Sequence, residues 1–427
     1  MKKTIILAAI ACVALAGCTK NERIVDNGRD VAIGFSPISQ RTATKAVVYG
    51  EQNATYTAGT SPNFEKFLAY AAFTEDNTTV PSTNFFPAAG VECSYQPSGY
   101  PSGTDFWAPA SIYYWPKAGY LTFHAFSPSV LDNGYSATVT NAWPTGLSLT
   151  SFTAGTDMDK QIDILYSDFN AYQQRSMYNP ETGFTYDDKT GDDNSQWAHN
   201  GVNLTFRHAM SAVQFRVVTD QDYTAGTQKH YFTVTKIEVL NVNNTGEFHE
   251  NRTAVDNTYG TAAAGSVTKN KDNGLATSPY WAPTATATVT YTPFTGTQLV
   301  SDKLTADAAT DKQFGTYGKL MLPMPQLLGG HGASADQDVI VKVTYTYKYN
   351  DGTDHEYPGL TTQISLAGQK ALKYGGATDD YTVNQWLINH KYLYTLVFKL
   401  DPIIFDPKVE AFVEVSDIDV NLPYQNS

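Results

Sequence analysis

Cys18 is the side chain whose setting implies chemistry most directly. Lys2 and Lys3 are followed by an apolar run from Ile5 to Leu15, then by the small pair Ala16-Gly17 and the cysteine. This is the pattern of a secretory signal ending in a lipobox. Small residues there let a signal peptidase approach the backbone, and the Cys18 sulfur becomes the acceptor of a diacylglycerol. A membrane-crossing helix needs about 20 apolar residues to span roughly 30 Å, about twice what this run supplies. The segment 1–17 therefore reads as an address that is removed rather than an anchor. Cys12 leaves with it, so the mature chain keeps Cys93 as its one free thiol. No intramolecular disulfide is then possible, and stability has to come from core burial, for which 427 residues are ample.

Other candidate groups fall short of a reactive constellation. Asp187, Asp188, Asp192 and Asp193 offer carboxylates to a hard cation. Their glycine is misplaced for an EF-hand loop and no closing glutamate follows, so the cluster reads as a solvated loop. His199 and His208 are too far apart for a helical metal pair and lack a third ligand nearby. His208, behind Phe206-Arg207, reads as structural. His331, in Gly329-Gly330-His331-Gly332, has Ser334 close by but no orienting acid. Cys93 has no neighbouring histidine, and a buried thiol is its default state. Tyr113-Tyr114-Trp115 has the chemistry to stack on sugars, although aromatics on strands more often fill a core. Neither a nucleophile elbow nor a phosphate-binding glycine loop is present. No catalytic residue, metal or cofactor is expected. A net charge of −13 with only 17% charged residues argues against nucleic acid or an anionic membrane surface as partner.

The elements that would position these groups are strands. Val31 to Phe35, Tyr120 to Phe126, Val213 to Val217, Val339 to Tyr345 and Tyr392 to Leu400 each alternate, placing every second side chain on one face. Gly, Pro, Asn and Asp punctuate them at short intervals, and no long stretch shows sustained three-and-four apolar spacing. The reading is all-β, with sandwiches as the natural architecture. A polar, Gly/Asp-rich stretch between Asn170 and Asn200 suggests a domain boundary near 200, and 253–288 reads as an extended insertion in the second domain.

The order of segments resembles the fimbrillin (Mfa-like) subunits of type V pili. After the lipobox come the short strand Val31 to Phe35 and the basic segment Gln40-Arg41-Thr42-Ala43-Thr44-Lys45. Tyr114-Trp115-Pro116 then precedes Phe123-His124-Ala125-Phe126-Ser127-Pro128. Asp163-Ile164-Leu165-Tyr166 is followed by Val202-Asn203-Leu204-Thr205-Phe206-Arg207-His208-Ala209-Met210-Ser211-Ala212-Val213. Leu322-Pro323-Met324-Pro325-Gln326 and the Tyr392-rich strand come last, where the second domain is expected.

The resemblance implies two transthyretin-like β-sandwich domains in tandem, here 42–200 and 201–427, behind a lipidated propeptide 18–41. It also implies a non-enzymatic surface subunit assembled by strand exchange. In that scheme an outer-membrane precursor tethered through Cys18 is cut by an arginine-specific protease at Arg41. Val31, Ile33 and Phe35 leave with the propeptide, and a strand of another subunit takes their place. Arg29 and Lys45 compete with Arg41 as cleavage points. The C-terminal stretch offers a candidate donor: Val409, Ala411, Val413 and Val415 alternate in one phase, then Ile418, Val420 and Leu422 in the other. The change of phase suggests a bulge. The same stretch reads equally well as the last strand of its own sandwich. Stalk and anchor roles, a tip or accessory adhesin with a host-surface or glycan ligand, and a surface glycan-binding lipoprotein stay open at this level.

Overall fold

A computed structural model describes residues 25–26, 29–30, 33–39, 66–75, 81–96, 106–114, 116, 120–167, 178–179, 183–184, 202–250, 279–284, 288–300, 318–329, 338–373, 381–400 and 408–411. Among them there is no helix, so the all-β reading holds.

The first sheet runs β5 (Thr83–Asn84), β4 (Lys66–Thr74), β6 (Val91–Gln96), β7 (Phe106–Pro109), β3 (Phe35–Ser39), β14 (Val202–His208), β11 (Leu165–Ser167) and β8 (Tyr120–Ser127). Because β8 also pairs antiparallel with β4, all of these strands except β5 close into a ring. The second sheet is β18 (Tyr280–Pro283), β17 (Thr245–His249), β10 (Gly146–Thr153) and β9 (Ser136–Ala142).

Strand β4, KFLAYAAFT, is apolar almost throughout because both of its faces are covered. Phe67, Ala69 and Ala71 join Phe35, Phe123, Phe206 and Cys93 in one cluster. Tyr70, of the opposite phase, joins Phe126, Leu147, Leu149, Phe152, Phe248 and Trp281 in another, where the second sheet packs on the ring. Inside that layer the fully buried His124 Nε2 lies 2.9 Å from Glu250 Oε2. The same carboxylate oxygen accepts from the Leu147 amide at 2.6 Å, and His124 Nδ1 lies 2.7 Å from Asn141 Oδ1. Gly146 fits only as glycine: its φ is 87°, and a Cβ there would run into Glu250.

The remaining large sheets form a sandwich. One is β15 (Ala212–Thr219), β26 (Lys391–Phe398), β27 (Lys408–Ala411), β23 (Gln369–Lys373) and β24 (Tyr381–Val383). The other is β19 (Thr288–Leu299), β16 (Lys229–Asn243), β21 (Ile340–Asn350) and β22 (Asp354–Ser365). Phe215, Tyr394 and Phe398 from the former meet Phe232, Ile237, Val343 and Tyr345 from the latter in a third cluster. Three two-stranded pairings complete the fold: β1 (Val25–Asp26) with β2 (Arg29–Asp30), β12 (Tyr178–Asn179) with β13 (Gly183–Phe184), and β20 (Gln326–Leu327) with β25 (Gln385–Trp386).

Strands are shared across the boundary expected near 200. β14, which lies after it, pairs in the first sheet, and β17 and β18 extend the sheet of β9 and β10. Trp281 concentrates this sharing. Its ring lies 4.8 Å from Phe152 and 5.3 Å from Phe248, and its indole N–H donates to the Ala209 carbonyl at 2.7 Å. Trp281→Ala is expected to cost about 3–5 kcal/mol in urea denaturation, the range for removing a buried aromatic. A loss below about 1 kcal/mol would show that this layer is not part of the core.

Candidate functional site

Among the described residues no group of three or more His, Cys, Asp or Glu is arranged to hold a metal ion. Two short strands, near the two ends of the chain, instead occupy interior places in their sheets.

The first is β3. It runs parallel to β14, with Phe35 opposite Val202 and Ser39 opposite Phe206, and it meets β7 at the Phe35–Trp107 pair. Just ahead of it, the Ile33 amide donates to the Tyr113 carbonyl at 2.8 Å and the Val202 amide donates to the Gly34 carbonyl at 2.7 Å. Ile33 and Phe35 are both fully buried. The Phe35 ring stands edge-on to Phe67 at 5.8 Å and to Phe123 at 5.5 Å, a favourable arrangement of aromatic quadrupoles. The alternation of Ile33 and Phe35 is thus seen in the core, while the strand itself begins at Phe35, where the sequence pattern ends it. Pro37 is tolerated because the ladder to β7 stops at Phe35, so the proline's missing N–H deprives no partner on that side. Val31 lies outside the described residues, as do Cys18, Arg41 and Lys45. Arg29 lies in β2, paired with Asp26.

The second is β27. It is antiparallel to β26, with Ala411 opposite Tyr392 and Lys408 opposite Thr395. On its other side it is parallel to β23, with Val409 opposite Ala371. Val409 and Ala411 therefore belong to a strand inside the chain's own sheet. Val413, Val415, Ile418, Val420 and Leu422 lie outside the described residues.

The other singled-out groups are structural or fall outside the described residues. His208 Nδ1 lies 2.6 Å from Asp163 Oδ2, fastening the end of β14 to the start of β11. The Cys93 thiol is fully buried beside Phe35 in the ring cluster. Burial, reinforced by the charge of Glu92, pushes its pKa well above the usual thiol value. Tyr113 packs on Phe86 at 4.7 Å, so this aromatic covers core. Asp187, Asp188, Asp192, Asp193, His199, His331 and Ser334 lie outside the described residues. Sequence reasoning missed the Tyr113 carbonyl that receives the first strand, because any residue type can supply a carbonyl. It also missed the His124–Glu250 pair, whose members are brought together only by the packing of two sheets.

A chain whose described residues form only strands, turns and loops, with β3 and β27 in interior sheet positions, is an all-β protein of packed sheets. Comparison with known families makes the assignment specific: the fimbrillin-like family model matches residues 53–411, and the chain belongs to that family. The family is one of fimbrial proteins rather than enzymes, and membership implies a place in a cell-surface fimbrium. Solved structures similar to this chain include a fimbrial protein from Bacteroides vulgatus, 14% identical, covering 90% of this chain and 99% of that one with a TM-score of 0.43. A fimbrilin (FimA) from Porphyromonas gingivalis is 10% identical, covering 89% and 97% with a TM-score of 0.36. The C-terminally truncated tip fimbrial protein Mfa3 of the same organism is 11% identical, covering 81% and 93% with a TM-score of 0.33. No curated protein sequence matches.

Two outcomes follow from the β3 site. Phe35→Ala is expected to destabilise the protein by about 3–5 kcal/mol, whereas Phe35→Leu, which keeps most of the volume, costs less; chemical denaturation of both variants checks the order. In protein carrying Cys12→Ser and Cys18→Ser, Cys93 should resist a thiol reagent while the fold is intact. Labelling should accelerate at least about tenfold in Phe35→Ala, because reaction then proceeds through opening of the ring. Equal rates in the two proteins would show that Phe35 does not seal this core.

Proposed function

We propose that this protein is a structural subunit of a type V fimbria, exported as a lipoprotein on Cys18 and matured by an arginine-directed cut at Arg41. It then polymerises by donor-strand exchange for adhesion. The observation that carries the reading is the position of Phe35: fully buried, on a strand between β7 and β14, six residues ahead of Arg41 in sequence. A cut at Arg41 would release the lipid-bearing segment and the first strand as one piece. The gap left in the ring would expose Phe67, Phe123 and Phe206, together with unpaired backbone on β14. An open edge of that kind is a template for an added strand. In this reading the chain is a tandem of two transthyretin-like modules, 42–200 and 201–427, that lend strands to one another, and the incoming strand belongs to another pilin subunit. Cys18 is then a temporary tether to the outer membrane.

A tip or anchor position is favoured by one observation, the place of β27 between β26 and β23. A stalk subunit has to give that strand up, a tip subunit keeps it, and an anchor keeps its lipid as well.

Limited trypsin treatment of the precursor, with N-terminal sequencing and negative-stain microscopy, tests the main reading. The expected result is a cut between Arg29 and Lys45 followed by fibres. Absence of any cut in that window, together with absence of polymer, overturns it. Truncation after Asp406 separates the roles: a stalk subunit stays folded and stops polymerising, while a tip subunit loses its cooperative melting transition.

A further inference from the structure

The second sandwich carries a groove that the assembly scheme does not use. It lies on the outward face of the sheet β19-β16-β21-β22, opposite the core, is shallow and open to solvent, and has a volume of about 770 Å³. Pockets for small ligands span about 300–1,000 Å³. The strand registers lay its lining out in rows. Lys229, Asn350 and Asp354 stand side by side across three strands, and the next row is Tyr231, Lys348 and Glu356. Five threonines complete the lining, and Leu299, 46% exposed, supplies an apolar edge.

From this arrangement we infer that the groove is a binding site for a neutral oligosaccharide. Its charges cancel: two lysines face two carboxylates, and Lys348 Nζ already lies 3.2 Å from Asp354 Oδ2. An ionic ligand therefore meets no net field of opposite sign. Threonine hydroxyls both donate and accept, as sugar hydroxyls do, while the carboxylates only accept and the ammonium groups only donate; the Asn350 amide is engaged within the hairpin, donating to Asp354 and accepting from the Gly352 amide. The Tyr231 ring and Leu299 offer apolar surface to the C–H face of a pyranose.

The groove is also held in shape from behind. On the inward face of the same hairpin, the Tyr347 ring stacks on Tyr357 at 6.1 Å and on Tyr349 at 6.1 Å, and Tyr349 stacks on His355 at 4.4 Å. This row of rings extends past the core and braces β21 against β22, so little ordering remains to be done when a ligand enters. The inference stands apart from strand exchange: the groove involves neither β3 nor β27.

Titration calorimetry of the mature chain with maltohexaose, cellohexaose, chitohexaose and laminarihexaose tests it, with a heparin-derived hexasaccharide as the anionic control. At least one neutral hexasaccharide should bind with a Kd of about 0.01–1 mM. Tyr231→Ala and Thr346→Val should each weaken it about tenfold or more, with an unchanged melting temperature. If Tyr231→Ala does not fold, Thr233→Val, which removes a lining hydroxyl at nearly constant volume, serves in its place with the same expectation. The proposal is overturned if none of the neutral sugars binds at millimolar concentration, if only the heparin fragment binds, or if the variants bind as the parent does. Polymerisation of the same protein after cleavage is read separately, so failure here leaves the fimbrial reading intact.

Discussion

A strand with neighbours on both sides cannot leave its sheet without abandoning two ladders and the core beneath them, and that constraint governs this molecule. β3 joins β14 to β7, and without it the ring of the first sheet is open. Burying an aromatic side chain is worth about 1.5–3 kcal/mol relative to exposing it. Each ladder hydrogen bond adds a net of roughly 0.5–1.5 kcal/mol. Ile33, Phe35 and the bonds to Tyr113 and Val202 together represent a sizeable share of the 5–15 kcal/mol by which a domain is typically stable. The first strand is thus small in length and large in effect.

That effect reaches the second half through one stretch of chain. Val202, Leu204 and Phe206 point into the ring cluster with Phe35. His208 is held by Asp163, the Ala209 carbonyl receives Trp281, and the Ser211 hydroxyl donates to the Leu387 carbonyl at 2.7 Å. Val213 then enters the core of the sandwich, where its amide and carbonyl both pair with Met321. A dozen residues visit all three cores in succession. This gives the Val202–Val213 motif a physical meaning: apolar alternation serves one core, and the small and polar residues after it turn the chain into the next.

Much of this was legible in the sequence, and the exceptions have identifiable causes. Alternation revealed Ile33 and Phe35 as inward-facing, and it found β8, β15, β21 and β26 to within a few residues: β21 sets one face on the core, and β8, although buried on both faces, keeps polar Thr122 and His124 between its apolar residues. It did not reveal β4, since a strand covered on both faces has no alternation to read. The alternation ends at Phe35, whereas β3 runs on to Ser39: the ladder to β7 has already ended, so Pro37 deprives it of no bond. The polar stretch before Asn200 marks a change in composition, but hydrogen bonding carries β14 back to the first sheet, and pairing partners are not encoded in composition. The His124–Glu250 pair was invisible for the same reason, since its partners meet across a layer.

The two interior strands are not equivalent, and their difference bears on how exchange would run. β27 is held along four residues, with β26 on one side and β23 on the other. Phe35 of β3, with Ile33 just ahead of it, lies in the aromatic cluster of a ring that closes on itself. Exchange proceeds when filling a vacated β3 place in one subunit gains more than releasing a C-terminal strand costs another. An intact subunit offers no such gain, because its own β3 is covalently present and always at hand. Only cutting the chain beyond β3 turns an intramolecular contact into one that can be lost. In the proposed scheme the covalent linkage of β3 would therefore block premature assembly, because the chain's own strand occupies the place a partner would need.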